Sequence, residues 1–439
     1  MSGVTDMKTT ALLRRKILAR SASVAVIGQG YVGLSLVCAT AEAGFPVTGI
    51  DIESTRIDDL TRGVLSVPGV AESTFRSALA SGLITFTSSW QAIPSADIVV
   101  ICVPTPMREG TPDLSHVQAA TREVSERLRP GQLIILESSS YPGTTEELVC
   151  PILERSGLLA KHDFLLAYSP ERIDPGNENF DLQNTPRIVG GRTPEATGAA
   201  MLFYGQIVDK VVAVSSARAA ELAKLLENTF RHVNIALVNE MAMLCHEMGI
   251  DVWEVIDAAA SKPFGFMPFY PGPGVGGHCI PIDPAYLAWQ IRRDAGRQFR
   301  ILEEAQDVNA QMPAYVASRI SDALNDGGKA VRGANILVLG VSYKADVGDI
   351  RESPALKVAE ILHKRGAQLR FHDPFIRSLQ INGTWLERTE LTKAAVSKAD
   401  CVAILTPHSH YDFDWIVEHA HSIFDARNAV SPAATVVRL

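Results

Sequence analysis

No two of the six cysteines, at positions 38, 102, 150, 245, 279 and 401, form a CxxC pair. That scatter points to neither a zinc site nor a disulfide framework, so no metal is expected and a cytoplasmic setting is. No run approaches the ~18 apolar residues of a membrane span. The basic stretch KTTALLRRKILAR (8–20) lacks the long apolar core and small-residue cleavage site of a signal peptide, and reads as a short helix before the first strand. Positive charge is not in excess either: a net charge of −8 leaves no general basic surface for a phosphate backbone, which argues against nucleic acid as a partner. Repeats and low-complexity tracts are absent. What remains, 439 residues with 46% hydrophobic and 21% charged side chains, is the composition of a globular, enzyme-sized chain with about two or three domains.

The front of the chain carries a complete strand–turn–helix–strand unit. SVAVIG (23–28) is a β-branched run ending in Gly28-Gln29-Gly30-Tyr31-Val32-Gly33, LSLVCATAEAG reads as a helix closed by Gly44, and PVTGID is a second strand ending in Asp51. Glycines let the backbone approach a pyrophosphate, which the unpaired N–H groups of a helix N-terminus attract. Asp51 stands where an acid accepts from ribose hydroxyls and repels a 2′-phosphate, so NAD is favoured over NADP. A loop-capping acid is the alternative. Arg56 is a candidate for the adenosine end, with a solvated surface arginine as its alternative. ADIVVICV runs into Pro104-Thr105-Pro106, QLIILE into Ser138-Ser139-Ser140, and DFLLAYS into Pro170-Glu171. Ligands of open parallel sheets bind at these strand ends, so Thr105, Ser139 and Glu171 become site candidates as a set.

From Ala217 to Gly249 no proline or internal glycine interrupts a helical spacing, which predicts a spine helix of roughly 50 Å. Lys224, Asn228 and Arg231 lie near one face of it, as site residues or as a solvated polar stripe. The stretch PGPGVGGHCIPIDP (271–284) devotes eight of fourteen positions to Gly and Pro around Cys279 and His278. It is neither helix nor central strand, and a thiol on such a loop is either a nucleophile or a bystander. Asp283, before Pro284 and AYLAWQIRRD, has the arrangement of an N-cap. Farther on, ANILVLG, SPALKVAEILHKRG and AQLRFHDP form another strand–helix–strand unit without GxGxxG, and ADCVAILT and HSIFDARN add strands. Lys344, Arg351 and Arg427 fall at or beyond strand ends, where they are placed to hold a diphosphate or to form surface ion pairs.

In order along the chain, GQGYVG, CVPTP, SPE, AELAKLLENTF, GVGGHCIPIDP and SYKADVGDIRESP resemble the UDP-glucose/GDP-mannose dehydrogenase family, over about residues 20 to 430. The resemblance implies an α/β fold of two Rossmann-like doubly wound domains joined by a helical central domain with a long spine helix. The division expected is NAD-binding 1–214, central 215–325 and UDP-sugar-binding 326–439. It also implies an NAD-dependent four-electron oxidation of a nucleotide sugar's C6 alcohol through the aldehyde to the carboxylate. In that scheme Cys279 is the nucleophile, Lys224 and Asn228 stabilise oxyanions, and Asp283 assists proton transfer or orients water. Glu171 is the base for thioester hydrolysis and Ser139 positions water. Gly28, Gly30, Tyr31, Val32, Gly33, Asp51, Arg56, Thr105, Ser139 and Arg351 are assigned to NAD. Glu171, Arg172, Lys224, Asn228, Arg231, Tyr270, Gly274, Gly277, Lys344 and Arg427 are assigned to the substrate. A homodimer or higher homo-oligomer is expected.

Several positions depart from that pattern. Pro175 stands where many relatives carry a second glutamate, Glu137-Ser138-Ser139 replaces a Lys-Ser-Thr motif, and no arginine near Lys262-Pro263 matches one that many relatives supply across a dimer. Ile282, in place of a lysine in Cys-x-x-Lys-Asp, is similar to the UDP-N-acetylhexosamine branch. UDP-N-acetylglucosamine is therefore the expected substrate, with UDP-N-acetylmannosamine next and UDP-glucose after it, and the product would feed surface polysaccharide synthesis. Two other readings stay open: a two-electron hydroxyacid-type dehydrogenase with a structural Cys279, and a non-catalytic protein that binds NAD or a nucleotide sugar.

Overall fold

The structure is a computed structural model that describes residues 3–67, 70–174, 177, 179–277 and 280–439. It divides into two compact units, Met1–Glu227 and Asn228–Leu439, with the division falling inside the helix Ala217–Met248. That helix matches the expected spine in extent, and no proline interrupts it.

The first unit is built on short apolar strands in which every side chain of VAVI, IVVI, LIIL and LLAY is buried. In chain order these and their neighbours are β1 Val24–Ile27, β2 Val47–Ile50, β3 Ile84–Thr87, β4 Ile98–Ile101, the small hairpin β5 Met107–Arg108 and β6 Thr111–Pro112, β7 Leu133–Leu136, β8 Leu165–Tyr168, β9 Arg187–Gly191 and β10 Val211–Ala213. The eight-stranded sheet has the order β10-β9-β8-β7-β4-β1-β2-β3. From β3 to β8 it is parallel, in the doubly wound order of a dinucleotide fold. Such strands are covered on both faces, hence their unbroken apolar runs. At the far edge β9 runs antiparallel to β8, because the connection between them carries no helix among its described residues and so makes no crossover.

The second unit joins the rest of the long helix to the helices Val252–Ala260, Ile282–Ala295 and Arg300–Asp326, and to a second sheet. Its strands are β11 Asn335–Leu339, β12 Gln368–His372, the hairpin β13 Ser378–Ile381 and β14 Thr384–Glu387, β15 Cys401–Ile404, β16 Ile423–Asp425 and β17 Val436–Arg438. The five-stranded order is β12-β11-β15-β16-β17, parallel throughout. One core runs through helices and sheet alike, with Val238, Trp253, Val316 and Ile320 in the same buried cluster as Val338 and Phe371.

Asp283 is not an N-cap. The helix Ile282–Ala295 begins one residue earlier, with Pro281 in the capping position, and Asp283 lies in its first turn. Pro281 already has helical backbone angles, and Pro284 is tolerated in the first turn because its N–H would have no helical partner there. Among the described residues no helix is long and apolar enough to cross a membrane.

Candidate active site

In the first unit the glycine turn after β1 opens the helix Tyr31–Glu42, whose N-cap is Gly30 and carries no side-chain cap. A side chain at Gly33 would overlap the Gly28 carbonyl oxygen, and one at Gly28 would lie 2.7 Å from the Cys102 carbonyl oxygen, whereas the space beside Gly30 is open. The turn is thus packed tightly against β4 and left clear at the helix end. Tyr31 and Val32 occupy the first turn. Asp51, buried at the end of β2, accepts from the Gln29 backbone N–H at 2.7 Å and from that of Glu53 at 2.9 Å. Arg56 does not stand as a free cation: it pairs with Asp51 at 2.9 Å and with Glu53 at 2.5 Å. The uncapped helix end, the open face at Gly30 and the fixed acid fit a dinucleotide, whose pyrophosphate would lie on the helix N-terminus and whose ribose would meet Asp51.

The ends of β4, β7 and β8 gather the other predicted groups. Thr105 is buried, the Ser138 hydroxyl donates to the Val103 carbonyl at 2.7 Å, and Ser139 is half-buried. Glu171 accepts through Oε1 from the backbone N–H groups of Arg172 at 2.6 Å and Ile173 at 2.7 Å. Its Oε2 receives Arg187 Nη1 at 3.1 Å. Arg172 is turned to Glu227, 2.7 Å away, and donates to the Pro186 carbonyl. Pro175 lies outside the described residues.

On the long helix Lys224 is buried, and one turn before it sits the fully buried Glu221, which the sequence reading missed. Its carboxylate accepts from the backbone N–H groups of Gly143 at 2.5 Å and Thr145 at 2.8 Å, and from the Thr145 hydroxyl at 2.6 Å. Burial raises its pKa to about 7 against the opposing pull of those hydrogen bonds. Glu221 therefore ties the helix to the turn that follows the Ser138–Ser140 run.

In the second unit Asn228 Nδ2 donates to Asp283 Oδ2 at 2.6 Å, so two predicted residues 55 positions apart in sequence meet. Asp283 is 1% exposed. Cys279 and His278 lie outside the described residues, but the chain on either side of them is held. The Gly272 N–H donates to Asn239 Oδ1 at 3.0 Å, Asn239 Nδ2 donates to Asn309 Oδ1 at 2.9 Å, and Asn309 Nδ2 donates to the His232 carbonyl at 3.1 Å. The His232 Nε2 in turn lies 3.3 Å from Asn309 Nδ2, and the ring faces the backbone of Ile280. Burial, partly opposed by the Ile280 backbone, lowers the His232 pKa to about 4, so the ring is neutral. One buried chain of polar groups thus fixes the loop at Gly272 and leads to the His232 ring beside Ile280.

The loop's glycines accommodate protein as well. A side chain at Gly277 would come within 2.8 Å of the Tyr343 ring, and one at Gly272 would overlap the Arg427 guanidinium. Gly274 has a positive φ of 129° and faces Asn309 and Pro354. The Gly277 N–H donates to the Arg351 carbonyl at 3.2 Å, while the Arg351 side chain pairs with Asp349 at 2.6 Å. Tyr270 donates to Asp257 Oδ1 at 3.0 Å and stacks on Trp253, and Arg231 is exposed.

Lys344 follows a loop whose anchor is the buried Asp373 after β12. Asp373 Oδ2 accepts from Val341 N at 2.9 Å, Ser342 N at 3.0 Å, Ser342 Oγ at 2.9 Å and His408 Nε2 at 3.0 Å. Burial works against its charge, but the His408 and backbone hydrogen bonds outweigh burial and hold the carboxyl well below the usual range. The acid after the second strand thus plays the same part in both sheets, gripping the loop after the first strand.

Among the described residues no group of His, Cys, Asp and Glu is placed to hold a metal. The five described cysteines are all buried.

Residues 22–208 match the UDP-glucose/GDP-mannose dehydrogenase family's NAD binding domain, 218–311 its central domain and 337–432 its UDP binding domain. The chain is 35% identical to a UDP-N-acetyl-D-mannosamine dehydrogenase of Pyrococcus horikoshii over 88% of its length and 90% of the relative's. It is 36% identical to a UDP-N-acetyl-D-glucosamine 6-dehydrogenase of Pseudomonas aeruginosa, over 80% and 83%. The solved structure of the UDP-D-ManNAc dehydrogenase from P. horikoshii superposes with a TM-score of 0.86 at 34% identity, over 95% of this chain and 98% of that one.

Proposed function

The chain belongs to the UDP-glucose/GDP-mannose dehydrogenase family, and from that premise we propose that it oxidises the C6 alcohol of a UDP-N-acetylhexosamine to the carboxylate in two NAD-dependent steps, with Cys279 carrying the intermediates. The observation that carries this reading is the hydrogen bond between Asn228 and Asp283, because it joins the helix residue expected at the oxyanion to the segment that contains Cys279. We retain the division into 1–214, 215–325 and 326–439 as its working parts.

When bound on the glycine turn, NAD⁺ supplies the hydride acceptor. The chain's own groups do the rest. The Cys279 thiolate adds to the C6 aldehyde, forming a C–S bond and leaving charge on the former carbonyl oxygen. Asn228 has two amide N–H groups, and committing one to Asp283 aims the other at that oxygen, where Lys224 adds positive charge. After the second oxidation the thioester is opened by water. Glu171 takes the water proton, the oxygen bonds to the carbonyl carbon, the C–S bond breaks and sulfur leaves as thiolate. Ser139 would position that water, and Lys344, Arg427, Arg231 and Tyr270 would hold the nucleotide sugar.

UDP-N-acetylglucosamine remains the favoured epimer on the Cys279–Asp283 pattern. The mannosamine epimer is the second reading, supported by the name of the Pyrococcus relative. An NADH-release assay across UDP-N-acetylglucosamine, UDP-N-acetylmannosamine, UDP-glucose and GDP-mannose is expected to give two NADH and one carboxylate per N-acetylhexosamine consumed. A ratio of one, with aldehyde accumulating, would sink the four-electron reading.

The protein is also proposed to be a homodimer or larger. Leu222, Leu226, Phe230, Leu237, Leu244 and Met248 are all at least 45% exposed and fall along one face of the long helix at 100° per residue. Such a stripe is costly to leave in water. Sedimentation should show at least a dimer, and Leu226→Glu should shift it toward monomer. A monomeric wild type contradicts the proposal.

A further inference from the structure

Arg187 is the only charged residue in the strand β9, whose five residues are all buried, and a buried guanidinium demands partners. It has them on every side. Nε donates to Ser169 Oγ at 3.0 Å, Nη1 to Glu171 Oε2 at 3.1 Å, and Nη2 pairs with Glu137 Oε1. The guanidinium also lies 4.5 Å from the centre of the Tyr204 ring, and the Tyr204 hydroxyl donates to Glu137 Oε1. The Cys102 thiol approaches Glu137 Oε2 at 3.6 Å. Of the ion-paired side chains, Glu137 and Arg187 are 0% and 4% exposed, and Glu171 is 13% exposed. The cluster is therefore closed at the Glu137 end and open at Glu171.

Charge counting gives this arrangement a consequence. Two carboxylates share one guanidinium, so Glu171 receives only part of the counter-charge. A carboxylate with an arginine of its own is held in the ionised form and gives up basicity for it. Arg187 Nη1 and the two backbone N–H groups fix the direction of the Glu171 carboxylate, while Glu137 draws off charge from behind. We propose that Arg187 and Glu137 are positioning residues that set the aim and the basicity of Glu171 in thioester hydrolysis, an inference that rests on the reading of Glu171 as the hydrolytic base. Burial works against the Arg187 charge, but Glu137 and Glu171 outweigh it, so the guanidinium stays charged throughout the working range. Among the described residues this cluster also includes Cys102 and Tyr204, whose protons burial holds in place, and the adjacent Arg172, which Glu227 already pairs; burial raises the Glu137 pKa against the pull of Arg187.

Two variants separate aim from basicity. Glu137→Gln keeps the shape but removes the competing charge, so Arg187 acts on Glu171 alone and the acidic limb of the hydrolysis rate moves down by about one pH unit. Arg187→Lys keeps the charge but loses the three-way fork, so hydrolysis slows about tenfold with little displacement of the limb. Hydrolysis is followed in single turnovers with UDP-N-acetylglucosamine and with UDP-N-acetylmannosamine, by decay of the acyl-enzyme in intact-protein mass spectra. Independently of turnover, the ligand-free protein labelled with [5-¹³C]glutamate is titrated by NMR, the Glu171 resonance being the one missing from Glu171→Gln. The same downward shift is expected there in Glu137→Gln. A Glu171 titration and a pH limb that both stay in place in folded Glu137→Gln, together with full-rate hydrolysis in Arg187→Lys, overturn the inference alone. Wild-type hydrolysis in Glu171→Gln overturns the reading of Glu171 and this inference with it.

Discussion

Replacing Cys279 with serine is expected to lower carboxylate formation by at least about a thousandfold while leaving NAD binding unchanged. A serine hydroxyl is not ionised near neutral pH and cannot be expected to trap the aldehyde, so the second oxidation loses its intermediate and single-turnover NADH falls from two per sugar toward one. No other described cysteine is placed to take over. Burial pushes the thiols of Cys38 and Cys401 up to about 12 and that of Cys150 up to about 11, and Cys102 and Cys245 are buried as well. Iodoacetamide at pH 8 should therefore label wild type at one cysteine and the variant at none. Near-normal turnover in Cys279→Ser would leave the thiol a structural residue and favour a two-electron hydroxyacid-type dehydrogenase.

Those features that repeat along the chain are legible in the sequence. Parallel strands buried on both faces read as unbroken apolar runs, a helix without proline reads as one helix, and a glycine turn between strand and helix reads as a dinucleotide cradle. Features that depend on residues far apart are not. The Glu221 carboxylate meets a turn 78 positions away, and Asn239 meets Asn309 across 70, because hydrogen-bond partners across a core leave no period in the sequence. A weaker signal existed for Arg187: a lone charge in RIVGG, a run otherwise apolar or glycine, has to be paired. The change to Glu137 in a motif that is lysine elsewhere was visible too, but its meaning needed the arginine opposite. Local grammar also misled at Asp283, where Asp-Pro before a helical pattern suggested a cap and the helix started at Ile282 instead. The cysteine loop shows the same limit. Its glycines say only that the backbone can bend, and the structure puts Arg427 beside Gly272 and Tyr343 beside Gly277.

Asn228→Ala is expected to lower kcat by about 10²–10³ with a much smaller change in KM, the loss associated with one oxyanion donor. Asp283→Ala should fall nearly as far if its work is to hold the Asn228 amide, since the two atoms are 2.6 Å apart and Asp283 has almost no solvent contact. The double variant then decides between orientation and proton transfer. If Asp283 acts through Asn228, removing it from Asn228→Ala costs little more, and the two effects do not add. If Asp283 instead moves a proton itself, the losses multiply and the pH profile of Asn228→Ala keeps a limb that Asp283→Ala lacks. Asn228→Asp adds a sharper check: it sets two carboxyls at hydrogen-bonding distance, where both cannot ionise, so one proton is retained and activity should fall as pH rises and that proton is lost. Full additivity would place Asp283 in contact with the reacting groups rather than behind them, and would remove the hydrogen bond from the account of how the oxyanion is held.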